Sequence, residues 1–139
     1  MKQWNETLRL ETPGQGLHEV TREVAAVVER SEVLTGLCTV FLRHTSASLV
    51  IQENADPSAR TDLERFLERL APEGDPQYTH TAEGPDDMPS HLRAALTRTS
   101  ESIPVLDGRL ALGTWQGLFL WEHRRQPHRR TLIVHVMGS

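Results

Sequence analysis

Apolar and polar positions alternate over residues 4–10, with Trp4, Leu8 and Leu10 on one side, and this period of two predicts a first strand. Pro13-Gly14-Gln15-Gly16 then marks a turn. Beyond it the period lengthens: Val20, Val24, Val27 and Val28 recur at helical spacing, which predicts a helix over residues 17–30. Valine is a poor helix former, so this face needs a larger surface to pack against. Apolar runs at 37–43 and 48–52 read as strands joined by the bend His44-Thr45-Ser46. Asp56-Pro57 starts a second helix, since Asp can accept the free N–H groups of a first turn and Pro suits the first helical position. Leu63, Phe66, Leu67 and Leu70 form its apolar face, and Ala71-Pro72-Glu73-Gly74 ends it.

A shorter helix is expected after Pro89, with Leu92, Ala95 and Leu96 inward. Short strands follow at 103–106, 109–112, 116–122 and 131–136, the first two joined by an Asp107-Gly108 hairpin turn. Helices and strands are mixed without strict alternation. The pattern predicts one α+β domain over residues 1–139, mainly antiparallel sheets packed with about three helices.

Composition narrows the classes. A chain of 139 residues, 37% hydrophobic and 24% charged, has the size and balance of one globular domain. A net charge of −4 supplies no basic field to attract nucleic acid. Cys38 is the single cysteine, so no disulfide can form within the chain, which fits a reducing compartment. The first sixteen residues, MKQWNETLRLETPGQG, contain no long apolar run. Neither a signal peptide nor a membrane span is expected there, and the expected location is the cytoplasm.

The densest chemistry lies at residues 79–92, THTAEGPDDMPSHL, where His80, His91, Glu83, Asp86 and Asp87 gather around Gly84, Pro85 and Pro89. Gly, Pro and Asp at this density predict a loop, the kind of segment on which a rigid scaffold displays polar groups. Of the seven histidines, His18 reads as a helix-start residue, His128 as a turn residue and His135 as structural in the last strand. His44, His80, His91 and His123 remain as candidates. None has HExxH or CxxC spacing, so the local metal signal is weak. Three neutral imidazoles with an open position would suit a catalytic zinc, with Glu83, Asp86 or Asp87 holding the other ring nitrogen. Thr45, Ser46 and Ser48 could orient a ring or bind phosphate.

Glu53-Asn54-Ala55-Asp56 is a second acidic group, in which capping accounts for Asp56 but not Glu53. Arg124, Arg125, Arg129 and Arg130 read either as a phosphate clamp or as a solvated face. Gly113 and Gly117 flank Thr114-Trp115-Gln116, which predicts a bulge or close approach by a ligand; Trp115 itself reads as core or interface.

The segments HTSASLVIQENADP, GPDDMPSH and GRLALGTWQGLFLWEHR, with the closing Arg-rich strand, resemble the YjbQ family, also called the secondary thiamine phosphate synthase family. The resemblance runs over nearly the whole chain. It implies a compact α+β fold assembled as a homotrimer, with sites near subunit interfaces and a metal, usually zinc, bound by histidines. Carried over by motif, the metal ligands are His44 of HTSA, His80 before the EGPDDMPSH loop and His91 closing it. His123 becomes a nearby acid–base or phosphate group, and Thr81-Ala82 stands where an aromatic residue is frequent.

The implied activity joins a pyrimidine pyrophosphate to a thiazole phosphate, the thiazole nitrogen displacing pyrophosphate to give thiamine phosphate. On that reading Glu53, Asp87 and His123 are catalytic, with Glu122 also able to orient ligands or protons. Thr45, Ser46, Asn54, Trp115, Gln116 and Arg124 meet the phosphorylated substrate. Three histidines favour zinc, whereas a pyrophosphate substrate would admit magnesium. Two alternatives stand beside this enzyme: a metal-dependent hydrolase with Glu53 or Asp87 as base, and a non-catalytic metal- or anion-binding module.

Overall fold

The structure, a computed structural model, describes residues 1–139. In chain order its elements are β1 (Lys2–Thr12), β2 (Gly16–Glu19), α1 (Thr21–Ser31), β3 (Thr35–Leu42), β4 (Ala47–Glu53) and α2 (Pro57–Leu70). There follow α3 (Asp87–Leu96), β5 (Ser100–Leu106), β6 (Arg109–Leu110), β7 (Gln116–Glu122) and β8 (His128–Gly138). The α+β architecture with three helices is as the pattern predicted. Every strand pairing is antiparallel, in a five-stranded sheet ordered β1-β8-β3-β5-β6 and a three-stranded sheet ordered β2-β7-β4.

The main core lies between the two sheets. Val24, Val27 and Val28 of α1 meet Cys38, Val40 and Leu42 of β3, Leu118 and Leu120 of β7, and Leu132, Val134 and Val136 of β8. Burying each α1 valine contributes up to about 1.5–3 kcal/mol, an upper bound that outweighs valine's weak helix propensity. The other side of β7 turns Phe119 and Trp121 toward Leu67 of α2 and Leu17 of β2. That double burial explains why residues 117–122 read as an unbroken apolar run rather than an alternating one.

Two sequence expectations are corrected and two are refined. Residues 16–19 form β2, paired with β7, so α1 begins at Thr21 and His18 lies on a strand. Trp4 shares the side of Leu8 and Leu10 as expected, but at 42% exposed it lies outside the core and donates its indole N–H to Glu6. Helix α3 begins at Asp87, two residues before Pro89, and turns Asp87, Ser90, Arg93 and Ala94 inward while Leu96 is exposed. Trp115 is 65% exposed in this chain, which removes the core reading and leaves the interface one.

Other signals hold. Asp56 caps α2 by accepting the Ser58 N–H at 2.9 Å, with Pro57 at the first helical position. Asp107 and Gly108 take φ of 51° and 75°, as the tight β5–β6 hairpin requires. No helix is long and apolar enough to cross a membrane.

Candidate metal centre

Three connections converge at one end of the small sheet: the turn after β3, the long segment before α3 and the turn after β7. Asp87 opens α3, where an acid is favoured by the helix dipole. His91 stands four residues later, on the same face of the same helix. His80 reaches in from the preceding segment. Asp87 Oδ2 lies 2.8 Å from His80 Nε2 and 3.1 Å from His91 Nε2, and the three ligand atoms fall within 4.8 Å of one another. The two rings meet edge to face, centroids 5.3 Å apart.

Asp87 and His91 are held from behind. His91 Nδ1 donates to the Thr45 carbonyl at 2.9 Å, which leaves Nε2 of a neutral imidazole as a lone pair facing Asp87. Arg124 donates through Nη1 to Asp87 Oδ1 at 2.7 Å, through Nε to Asp86 Oδ2 at 3.0 Å and through Nη2 to the Glu83 carbonyl at 2.9 Å. Burial alone would raise the pKa of Asp86, but the Arg125 backbone N–H and the Arg124 guanidinium outweigh it and hold the carboxyl below its usual range. Asp87 is 2% exposed, whereas the His80 side chain is 48% and the His91 side chain 29% exposed, so the cluster opens outward along its imidazoles. A cleft of about 320 Å³ starts at His80 and is walled by Tyr78, Thr81, Pro85 and Met88.

The remaining candidates lie elsewhere. His44 stands outside the cluster: its Nε2 accepts the Thr131 N–H at 2.8 Å and its Nδ1 faces Arg130 at 3.4 Å. Burial, then the Arg130 charge, depresses its pKa. His123 is 1% exposed and bonded to Ser48 at 2.9 Å, and burial pushes its pKa down to about 3. Thr45 enters the site through its carbonyl, while Ser46 accepts from Arg130 through both its carbonyl and its hydroxyl.

Glu53, Asn54, Trp115 and Gln116 sit at the far end of β4 and β7, roughly 20 Å along a seven-residue strand. There Glu53 accepts the Asp56 N–H, Asn54 donates to Glu19 and Gln116 accepts the Gly113 N–H. The arginine run divides: Arg125 and Arg129 lie on the solvated face, whereas Arg124 and Arg130 turn inward to buried carboxylates. Arg124 is tied to Asp86 and Asp87, Arg125 to Glu73, Arg129 to Glu11 and Arg130 to Glu122.

Sequence reading gave Asp87 an orienting role and missed its place among the converging atoms. The signal was present: Asp87 and His91 are four apart, a helical spacing hidden by assigning Asp87 to a loop. It also missed the buried Arg130–Glu122 pair, to which Thr12 adds a hydroxyl at 2.6 Å from Glu122 Oε1.

The comparisons agree with this architecture. A UPF0047 protein of Synechocystis sp. is 59% identical over 138 residues, covering 99% of this chain and 94% of that protein. The UPF0047 protein YjbQ of Escherichia coli O157:H7 is 42% identical and covers 98% of this chain and 99% of its own. Among solved structures, a conserved hypothetical protein from Thermus thermophilus superposes with a TM-score of 0.85 at 36% identity, covering 95% of this chain and 99% of that one. The family described as UPF0047 protein YjbQ-like matches residues 6–139, and the chain belongs to that family.

Proposed function

We propose that the protein binds one divalent cation through His80 Nε2, Asp87 Oδ2 and His91 Nε2, and uses it on a phosphorylated or pyrophosphorylated small molecule seated in the adjoining cleft. The observation that carries this reading is the convergence of those three atoms within 4.8 Å while the Thr45 carbonyl fixes the back of His91. Both imidazole Nε2 atoms meet one carboxylate oxygen, an arrangement that a shared cation would satisfy. Two imidazoles and a carboxylate with positions left open suit zinc and its first-row neighbours better than magnesium. His44 is not among the proposed ligands, since Thr131 occupies its Nε2.

A cation held by His80, Asp87 and His91 would supply Lewis-acid polarisation of a phosphoryl oxygen and charge neutralisation for a departing pyrophosphate. The chain's own residues set the geometry. Arg124 aims Asp87, the Thr45 carbonyl orients the His91 ring, and the cleft beside His80 gives a ligand room over the open side of the cluster. Because Arg124 is already engaged by Asp86, Asp87 and Glu83, its role is to position the carboxylates rather than to grip phosphate. Thiamine phosphate synthesis is one reaction that fits this class; hydrolysis of a phosphate ester at the same centre is the second.

Metal content per chain, measured on tag-free protein, tests the reading. Parent protein is expected to hold about one first-row ion per chain, lost in His91→Ala and in Asp87→Asn with the fold retained, as set by a three-ligand open site. Full occupancy in both variants would remove the centre from consideration. The two reactions then separate on pyrophosphate release from a pyrimidine pyrophosphate with and without the thiazole phosphate: release that needs the acceptor supports transfer, and release without it supports hydrolysis.

Assembly as a homotrimer is carried forward on a separate observation. The outer face of the five-stranded sheet exposes Leu37, Phe41 and Leu106, and Met137 and Ile133 lie beside them across β8. An apolar patch of this kind on one sheet suits burial against a second copy. Light scattering on Phe41→Glu checks it: trimeric parent and dissociated variant are expected, and a monomeric parent at all concentrations would refute it.

A further inference from the structure

Helix α3 carries a second group of buried donors on the side away from His91. Arg93, two positions further on and so about 200° around the helix, is only 4% exposed. Its Nε and Nη2 both donate to the Ala71 carbonyl, at 3.2 and 2.9 Å, and its Nη1 has no partner within the chain. No carboxylate forms an ion pair with it, an unusual state for a guanidinium so deeply placed.

Arg93 borders a cavity of about 50 Å³ together with Trp121, 6% exposed, and His123, 1% exposed. The Trp121 indole N–H and His123 Nδ1 also lack intramolecular partners, since His123 uses only Nε2, on Ser48. None of these three nitrogens is sealed away from open space; the only side-chain polar atom sealed without a partner is Arg60 Nε. Three residues that line the cavity thus each carry a nitrogen without an intramolecular partner. Gln15, Glu64 and Glu68 complete the lining. Gln15, Glu68 and Arg93 also border an outer cleft of about 290 Å³, to which Arg125 contributes, so the cavity has a vestibule.

The geometry points to a binding pocket for a protonated phosphate group, seated on Arg93, Trp121 and His123, with its P–OH donated to Glu64 or Glu68. The space exceeds what a single water needs and takes a tetrahedral oxyanion. A guanidinium and an indole N–H supply the anion's partners. The two glutamates set the selectivity. Glu64 commits Oε1 to the Leu17 N–H, leaving its other oxygen, and Glu68 has no hydrogen-bonded partner. A fully deprotonated oxyanion would meet these carboxylates with no proton to offer, whereas hydrogen phosphate or a singly protonated phosphate monoester donates to one of them. Sulfate carries no proton at neutral pH and is excluded by the same groups. The vestibule leaves room for the organic part of a monoester. This pocket is independent of the His80–Asp87–His91 reading and stands if that centre holds no metal.

Phosphorus NMR and calorimetry on the full chain test it, with inorganic phosphate, glycerol phosphate and sulfate as probes. Phosphate is expected to bind the parent at least about tenfold more tightly than sulfate, the scale of one charged hydrogen bond. Trp121→Phe, which removes one N–H and keeps an aromatic ring, should weaken phosphate by about tenfold. Glu68→Gln should raise sulfate affinity and collapse the phosphate preference. Glycerol phosphate binding at least as tightly as phosphate assigns the pocket to esters; phosphate alone binding assigns it to the inorganic ion. Absence of phosphate binding up to about 10 mM, the weak end of specific recognition, would leave the cavity to water and overturn the proposal. Affinity unchanged in both variants, or abolished by Asp87→Asn, would place phosphate elsewhere and overturn it equally.

Discussion

Replacing Glu122 with Gln isolates the charge at the centre of the β7–β8 corner. The side chain is fully buried; its Oε1 accepts from Thr12 Oγ1 at 2.6 Å and Arg130 Nε at 2.7 Å. Its Oε2 accepts the Arg124 N–H at 3.1 Å and also receives Arg130 Nη2. Gln keeps the volume but offers one oxygen and one NH₂, so two of these donors must face a donor. Arg130, 3% exposed, keeps only neutral partners, the one remaining amide oxygen and Ser46, apart from its distant approach to His44. Breaking one side of a buried ion pair costs about 3–5 kcal/mol. With one acceptor retained we take the lower end, about 3 kcal/mol, which at this chain length is a fall in Tm of roughly 10 °C.

Urea titration and calorimetry at pH 7 read the difference directly. Its pH dependence has a definite sign. Burial would raise the Glu122 pKa, but Arg130, Thr12 and the Arg124 N–H outweigh it and hold the pKa below the ordinary 4.5. The stabilisation is therefore present above that ordinary value and is lost as pH falls through the lower folded one, so parent and variant should converge in acid. Adding Arg130→Met should recover much of the loss, because no buried charge is then left alone. A loss below about 1 kcal/mol at pH 7, or one that does not shrink in acid, would refute a dry, ionised pair.

Three further outcomes are expected. Gly36→Ala places a Cβ 2.0 Å from the Met137 carbonyl oxygen, between paired backbones of β3 and β8, so the protein should lose at least about 3 kcal/mol or fail to accumulate folded, as measured by soluble yield and denaturation. Asp56→Ala removes the cap on the Ser58 N–H and should lower the urea midpoint without altering metal content. Nitrogen-15 NMR should show the His123 ring still neutral at pH 5; because its folded pKa is depressed to about 3, it contributes stability above the ordinary value of 6.5 that is lost as pH falls.

Where local chemistry decides the structure, the sequence was readable. Asp56-Pro57 specifies a helix start by itself, and Asp107-Gly108 specifies a turn, because cap and φ preferences act within three or four residues. β2 was not readable: α1 follows it with Val20 in the cap position and no side-chain cap, and what makes residues 16–19 a strand is pairing with β7 a hundred residues away. Pro89 was mistaken for a helix start although it sits in the first turn, where proline costs nothing. That shift of two residues hid the alignment of Asp87 with His91. Arg129 and Arg130 look equivalent in the chain, yet strand alternation sends the first out to Glu11 and the second inward to Glu122. His80 and His91 were legible as candidates from residue type and crowding, while the absence of His44 from their cluster depends on the register that brings Thr131 to its ring.

The separation of the two motif groups along β4 and β7 has a consequence for genetics. A ligand the size of a nucleotide lying against one copy of the chain cannot touch both the His80–Asp87–His91 end and the Asn54–Trp115 end. Within a lone chain, substitutions at the two ends should combine additively, to within about 0.3–0.5 kcal/mol. A strong departure from additivity between Asp87→Asn and Asn54→Ala would mean that the far end of one copy completes the candidate metal site of the next. The unit of function would then be the ring, and a single damaged chain would silence its neighbour as well as itself.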